Sequence, residues 1–374
     1  MRGAWCGVAI LMLSADLRAD HRFTIVPSLE MTEVSDDNLN FSPDQPLSDQ
    51  IRRVTPALDL RFESPRWSVR SAYSLDSERF PRHSALDNNR ARERASVSVQ
   101  YRTAPRLTLS IDSDFLDTNT AADLNADTGL AASRARGRRI SVSPSARFRI
   151  SPTLTATAST SSVRMDVVNG NSQRSQVQTV ELERRVTARD AFSLTYEHSH
   201  LVFEGLISDT LNTHTLLAGW TRDLGAHDRF SFHVGPRVSG GSHSADVAAS
   251  LMHMWRSSSI AISAQRNQTT VIGYAGAVDA ESAMAKFTVS PNRHLSAYAA
   301  PAIFRSTHGQ LQGTVYRMAA GARYAVSPLL GVDVSYSRDT QNGAIDPVRA
   351  NARFSHGVLS VGFTTRFSGA DGMR

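Results

Sequence analysis

Between Val54 and Leu75 the chain reads VTPALDLRFESPRWSVRSAYSL, and its side chains change character at almost every residue. Val54, Pro56, Leu58, Leu60 and Phe62 alternate with Thr55, Ala57, Asp59, Arg61 and Glu63. A period of two is that of a β-strand, whose successive side chains point to opposite faces. Ser64-Pro65-Arg66 breaks the run as a short turn. Trp67, Val69, Ser71, Tyr73 and Leu75 then resume it against Ser68, Arg70, Ala72, Ser74 and Asp76. The spacing predicts a hairpin with one greasy face and one charged face. The unit recurs to the end of the chain, with aromatic residues often near strand ends, and helix-period stretches are scarce.

Two kinds of connector separate the runs. Short turns are expected at Ser64-Pro65, Thr103–Pro105, Ser151-Pro152, Thr187–Asp190, Leu224–Asp228, Arg256–Ser259, Ser290–Arg293 and Ser327-Pro328. Longer polar connectors are expected at Ser35–Gln50, Asp117–Arg138, Val167–Ser175, Glu204–Asn212, Ser239–Ser244, Asn267–Glu281, Ser306–Gly313 and Asp339–Arg349. Short turns alternating with long loops mark an up-and-down outer-membrane barrel, with the turns periplasmic and the loops outside. The expected fold is all-β: one closed antiparallel transmembrane barrel of about 18 strands (16–18), with spans of about 9–11 residues. An even count makes Pro347–Gly357 an outer extension of the last strand. No linker divides the chain, and no solenoid or propeller repeat is visible.

A mean hydropathy of −0.27 does not argue against the membrane, because barrel strands alternate apolar-out and polar-in. No apolar run after the N-terminus is long enough for a transmembrane helix. Arg2, the apolar stretch Ala4–Leu13 (AWCGVAILML), and Ala15 or Ala19 before the cut read as a secretory signal. Residues 1–19 are thus expected to be removed, leaving 20–374 as a single barrel domain in a bacterial outer membrane. Cys6, the only cysteine, leaves with the signal, so no disulfide is expected. At the other end, Val358–Phe367 (VLSVGFTTRF) places Gly362, Thr365 and Phe367 at positions matching the signal read by the barrel-assembly machinery. Thr365 stands where that signal has an apolar residue, and Ser368–Arg374 extend past its end.

Alternation assigns each residue a side. Leu58, Leu60, Val69, Leu109, Ile111, Val142, Ile262, Val334 and Val361 are expected to face lipid. By subtraction the candidate pore lining is Asp59, Arg61, Arg70, Arg94, Asp112, Arg147, Arg149, Glu181, Glu183, Arg237, Arg317 and Arg323, joined by Asp76, Glu197, Lys286, Asp333 and Arg366. Lys+Arg 41 against Asp+Glu 35 gives a net charge of +6, and Lys286 is the one lysine. Export argues against nucleic acid as the partner of this basic surface. Arginine suits phosphate groups of surface lipid and lipopolysaccharide, acidic polysaccharide, or pairing with Asp and Glu across a lumen. Arg134, Arg136, Arg138 and Arg139, where a long loop enters a strand, are a candidate anion-binding patch on the rim. His198 and His200 form His-x-His on one strand face, which could seed a metal site but lacks a third ligand in the sequence. His253 and Trp255 read as interfacial girdle residues. No local signature singles out a nucleophile or a phosphate cradle. No catalytic residue, metal or cofactor is expected.

Three segments carry a family resemblance: Ile25-Val-Pro-Ser-Leu leading to Ser35-Asp-Asp-Asn-Leu-Asn, Val54-Thr-Pro-Ala-Leu, and Thr269-Thr-Val-Ile-Gly-Tyr-Ala-Gly continuing to Asp279 and Ser282. They resemble outer-membrane β-barrels associated with exopolysaccharide assembly and export. The resemblance implies a channel through which an extracellular polysaccharide leaves the cell, with periplasmic export proteins as partners. The residues themselves also fit a general or anion-selective diffusion porin, or a structural or adhesive barrel with a plugged lumen; an outer-membrane hydrolase is remote.

Overall fold

In the computed structural model eighteen antiparallel strands follow one another around a ring. The described residues are 21–367, apart from 126, 131–134, 169–171, 205–208, 272–275 and 345–352. The expected signal segment, Arg134, residues 347–352 and Ser368–Arg374 lie outside them. The strands are β1 (Arg22–Asp36), β2 (Asp49–Glu63), β3 (Trp67–Arg79), β4 (Asn88–Ala104), β5 (Leu107–Thr118) and β6 (Gly137–Arg149). They continue as β7 (Leu154–Val167), β8 (Ser172–Arg185), β9 (Asp190–Glu204), β10 (Asp209–Asp223), β11 (Asp228–Ser239) and β12 (Ser242–Met254). The ring is completed by β13 (Ser258–Thr270), β14 (Ala277–Val289), β15 (Leu295–His308), β16 (Leu311–Ala325), β17 (Leu330–Ala344) and β18 (Arg353–Arg366).

Each strand pairs with the next in sequence, and β18 returns to β1 from Ser28↔Arg366 to Asp36↔Val358, so the sheet has no edge. Phe367 N–H donates to the Pro27 carbonyl at 2.9 Å and extends the seam below the last ladder pair. Gly362 lies on that seam opposite Thr32, and a Cβ there would sit 2.8 Å from Thr32 Oγ1. Thr365 pairs with Leu29. The three residues of the C-terminal motif therefore all belong to the closing strand or its end.

The outer surface exposes large apolar side chains on strand after strand, where soluble monomers rarely expose extended apolar patches. Leu58, Leu109, Ile111, Ile262, Val334 and Val361 are among its exposed side chains. Leu60, Val69 and Val142 are half-buried on the same face by register, opposite Ile25, Phe62 and Ser113 respectively. Aromatic residues collect toward the short-turn end, where Trp67 stacks on Tyr101 at 4.2 Å and Trp220 meets Phe230 edge-on at 5.7 Å. An apolar band edged by aromatic rings is the outer surface of a membrane-spanning barrel, and the short turns mark its periplasmic end.

The strands run further than alternation alone suggested. They are 12 to 17 residues long, against the expected 9–11. Where described, the polar stretches at 204–212, 239–244, 267–281, 306–313 and 339–349 are mostly ladder: β11 and β12 are joined only by Gly240-Gly241, and β15 and β16 only by residues 309–310. The reason is that backbone pairing continues above the bilayer, where neither face need be apolar and alternation vanishes. Both glycines of the β11–β12 turn have positive φ, at 54° and 84°, a conformation that L side chains rarely adopt. Arg353–Gly357 belong to β18, as the even count required.

Where described, the β1–β2, β3–β4 and β5–β6 connectors fold inward. Leu39 and Leu47 of the β1–β2 loop and Phe80 and Leu86 of the β3–β4 loop pack on Val34 and Ile51 of the inner wall. The β5–β6 loop reaches the opposite wall, where Leu130 packs with Val271, Val278, Phe304 and Val315. The β13–β14 hairpin also bends in. Its own pairing runs to Thr270↔Ala277, whereas pairing of β12 with β13 stops at Val247↔Arg266. Freed from β12, the outer face of this hairpin rests on the inner wall: Gln268 Oε1 accepts from Thr213 Oγ1 and Ser239 Oγ, both at 2.9 Å, and Thr270 Oγ1 accepts from Gln173 Nε2 at 2.7 Å.

Replacing Leu60 with Arg should impair assembly, because an arginine facing lipid near the midplane costs about 2–4 kcal/mol. The expected readout is loss of the heat-modifiable, folded band in gel electrophoresis; normal folding would mean that the faces are inverted.

Candidate functional site

The lumen carries the polar half of every alternating strand. Register places Asp59, Arg61, Arg70, Arg94, Asp112, Arg147, Arg149, Glu181, Glu183, Arg237, Arg317 and Arg323 on one continuous inner face. Arg61 lies opposite Arg70, Asp112 opposite Ser98, Arg147 opposite Thr157, and Thr157 in turn opposite Glu181. Asp76, Glu197, Lys286, Asp333 and Arg366 share that face. The wall between these charges is hydroxyl-rich. Ser110 and Ser145 hydroxyls lie 2.6 Å apart, and Ser143 donates to Ser161 at 2.9 Å. The same pairing recurs at Ser231–Ser250 and Ser335–Ser360, both at 2.7 Å.

Along its axis the lumen divides into two zones. Toward the loops the inner-facing side chains are buried, down to 0% exposure at Ser306 and 2% at Arg237. Their charges are matched. Arg53 donates from Nε and Nη2 to Glu78 at 3.0 and 2.7 Å, and also lies 3.8 Å from Asp76. Arg317 grips Asp339 with two nitrogens at 2.8 and 2.7 Å, as a planar guanidinium does best. Arg237 donates to Asp246 at 2.6 Å and also pairs with Asp279 of the inward-bent hairpin. Arg92 pairs with Asp123 of the β5–β6 loop, and Thr118 donates to the same carboxylate at 2.9 Å. His356 Nε2 lies 3.0 Å from Asp36, and His83 Nδ1 2.8 Å from Asp49. The mouth is thus a packed, internally neutralised layer.

Toward the periplasm the inner-facing charges are exposed. Arg61, Arg70, Arg102, Arg147, Arg149, Lys286 and Arg366 all stand in solvent. None of them makes an ion pair among the described residues; Lys286 has only the face of Tyr298, 5.6 Å away. Arg61 and Arg70 are direct cross-strand neighbours, an arrangement that repels unless an anion or water lies between. Asp59, Asp112, Glu181, Glu183 and Asp333 are among the acids of the same zone. Thr108, Arg147, Arg149, Thr155, Thr157, Glu181 and Glu183 bound a recess of about 230 Å³. A second recess of about 620 Å³ lies higher on the wall, lined by Ala57, Asp59, Arg94, Asp114 and Arg139 among others. Arg323 lies 3.6 Å from Asp333 and is the one paired arginine of the candidate lining at this end.

The three described rim arginines do not form one patch. Arg136 and Arg138 both donate to Asp117, from 2.8 to 3.3 Å, so one carboxylate offsets two guanidinium groups. Arg139, one residue on from Arg138, points to the lumen. His198 and His200 face outward, on the lipid side of the wall, with His198 stacked on His214 at 4.6 Å. His253 and Trp255 meet edge-on at 4.1 Å near a periplasmic turn.

The inner partners Arg53, Arg92, Asp123, Asp339 and Asp246 were not among the candidates, nor was the apolar seal of Leu130, Phe304 and Val315. A trace of the seal is present in the sequence. Ile303-Phe304 and Val315-Tyr316 put apolar residues on both faces of their strands, which a polar lumen alone would not require.

No family model matches the sequence, and no curated protein matches it. Solved structures do. OccK3 (OpdO) of Pseudomonas aeruginosa is similar over 92% of this chain and 96% of its own, at 12% identity and a TM-score of 0.52. OccK2 (OpdF) of the same organism is similar over 92% of this chain and 98% of its own, at 10% identity and a TM-score of 0.52. OccK7 (OpdD) is similar over 94% and 100%, at 12% identity and a TM-score of 0.51. At such identity the likeness is one of fold.

If the mouth is held by the seal around Leu130, replacing Leu130 with Asp should release the β5–β6 loop, since a carboxylate cannot stay ionised in that apolar cluster. Single-channel conductance should rise with the barrel still heat-modifiable. Unchanged conductance would show that this loop does not limit passage.

Proposed function

We propose that the chain is an outer-membrane channel for passive diffusion of small solutes, weakly selective for anions. The observation that carries this reading is the contrast along the lumen: neutralised and packed at the mouth, open and basic below it. Fixed arginines in a low-dielectric wall raise the local concentration of anions. The hydroxyl-rich wall between them offers hydrogen bonds without holding a solute tightly. An eighteen-stranded ring is wide enough for an aqueous channel, and the inward loops narrow it to small molecules. Outer-membrane placement is supported by closure of the ring and by the apolar band with its aromatic edge. The reading is of a channel rather than an enzyme.

Export of an extracellular polysaccharide, the function implied by the sequence resemblance, rests on those short motifs. A mouth held by several ion pairs and two apolar clusters fits a small solute better than a polymer. The packing of the mouth favours one alternative, a barrel plugged for a structural or adhesive role, and conductance separates the two.

Purified protein in planar bilayers should conduct with a reversal potential on the anion side in a salt gradient. The triple variant R61S/R147S/R149S should move that potential toward zero while folding normally. Cation selectivity of the native protein would overturn the proposal, and absence of conductance in both the native protein and L130D would favour the plugged barrel.

A further inference from the structure

The outer wall over β7–β10 departs from that of β2. Counting up from the periplasmic turn, β2 presents Phe62, Leu60, Leu58, Pro56 and Val54 to the outside before Arg52. On β8 the outward series is Arg184, Leu182, Val180, Gln178, Gln176 and Arg174, so only two apolar residues separate the polar ones. The neighbouring strands match it. The outward residues of β7 above Ala158 are Thr160, Ser162, Arg164 and Asp166, and those of β9 above Tyr196 are His198, His200, Val202 and Glu204. An outer-membrane barrel needs an apolar band roughly 25 Å tall, and this sector falls short of it at the upper edge. Whatever meets the wall there must hydrogen-bond to it.

The top of the sector carries two arginines, each beside one carboxylate. Arg164 and Arg174 are direct cross-strand partners, both more than half exposed, and two like charges so placed repel unless something lies between them. Each approaches its carboxylate through Nε: Asp166 lies 3.0 Å from Arg164, and Glu204 3.4 Å from Arg174. The terminal nitrogens of both guanidinium groups have no partner among the described residues. Below them the polar shelf is pre-arranged. His200 Nδ1 lies 2.8 Å from Asn212 Oδ1, and Tyr196 Oη 2.9 Å from His214 Nδ1. His198 is stacked on His214, and its buried Nδ1 has no partner. Below the shelf in turn, Val180, Leu182, Leu194 and Leu216 stand out from the wall.

From this order we infer that the outer face of β7–β10 is a binding site for a phosphorylated glycolipid of the outer leaflet. Arg164 and Arg174 take its phosphate, Gln176, Gln178, His198 and His200 take its sugar hydroxyl and amide groups, and the apolar residues beneath take its acyl chains. Guanidinium forks are the side chains best shaped for phosphate. The vertical order of charge, neutral polar group and hydrocarbon is that of the lipid itself. The inference rests on the outer-membrane placement proposed above, but not on conduction.

Binding is tested with the purified full-length barrel in mixed micelles containing lipid A, in micelles of phosphatidylethanolamine alone, and in micelles with inorganic phosphate. Lipid A should raise the unfolding temperature of the native barrel. The variant R164A/R174A should need roughly tenfold more lipid A for the same rise, the loss of one good charge-assisted contact. R164K/R174K should recover part of the response, and R184A, changed at the periplasmic edge of the same strand, should respond as the native protein does. Gel migration before and after heating establishes that each variant is folded; should R164A/R174A not fold, Q176A/H198A carries the same expectation of weakened response. An equal response of native and variant proteins overturns the site. So does an equal rise with inorganic phosphate, which would make it a site for free anions, or a change of oligomeric state in place of a change in lipid response, which would make it a protein interface.

Discussion

Backbone N–H and C=O groups find no partner in hydrocarbon, so the two ends of this sheet can lie in a bilayer only if they are joined to each other. The nine residue pairs from Ser28↔Arg366 to Asp36↔Val358 make that join. Everything else in the molecule follows from it. Once the ring is closed, each strand has one face turned to lipid and one enclosed, and a single sequence period serves both. The close fit of Gly362 against Thr32 shows how little room the seam leaves for a side chain.

Closure also decides what charge can do inside. At the mouth, where loops exclude water, an unmatched arginine would be costly, and Arg53, Arg92, Arg237 and Arg317 each meet a carboxylate. Nearer the periplasm water enters, the penalty falls, and Arg61, Arg70, Arg147 and Arg149 stand alone. The two zones use the same residue type to opposite effect. Above, it staples loops and walls together; below, it sets the potential that a passing solute meets.

Much of this was legible in the sequence. The strand number, the closing strand, the lipid face and the inner face all follow from a period of two and from the turns that punctuate it. Strand ends did not, because above the bilayer both faces of a strand are polar and Asp209–Asn212 or Thr307–Leu311 look like loop. Nor did the inward bend of the β13–β14 hairpin, since it depends on where β12 stops pairing, a matter of register between strands. The ion pairs at the mouth were hidden for the same reason: Arg237 meets Asp279 across two intervening strands, and no spacing in the chain announces it. The rim arginines misled by adjacency, because Arg138 and Arg139 lie side by side in sequence and on opposite faces of the wall.

The β5–β6 loop carries a consequence for the order in which the molecule can be made. Gly129 and Leu130 rest on Phe304 and on the wall around Gly313, on strands far along the chain from the loop. Gln173 of β8 likewise waits for Thr270 of β13. Contacts so distant along the chain gain nothing until the strands that bear them are in place. This side of the mouth therefore cannot be completed before β13 to β16 are in place, whereas the cluster of Leu39 and Phe80 on Val34 and Ile51 draws mainly on the first four strands.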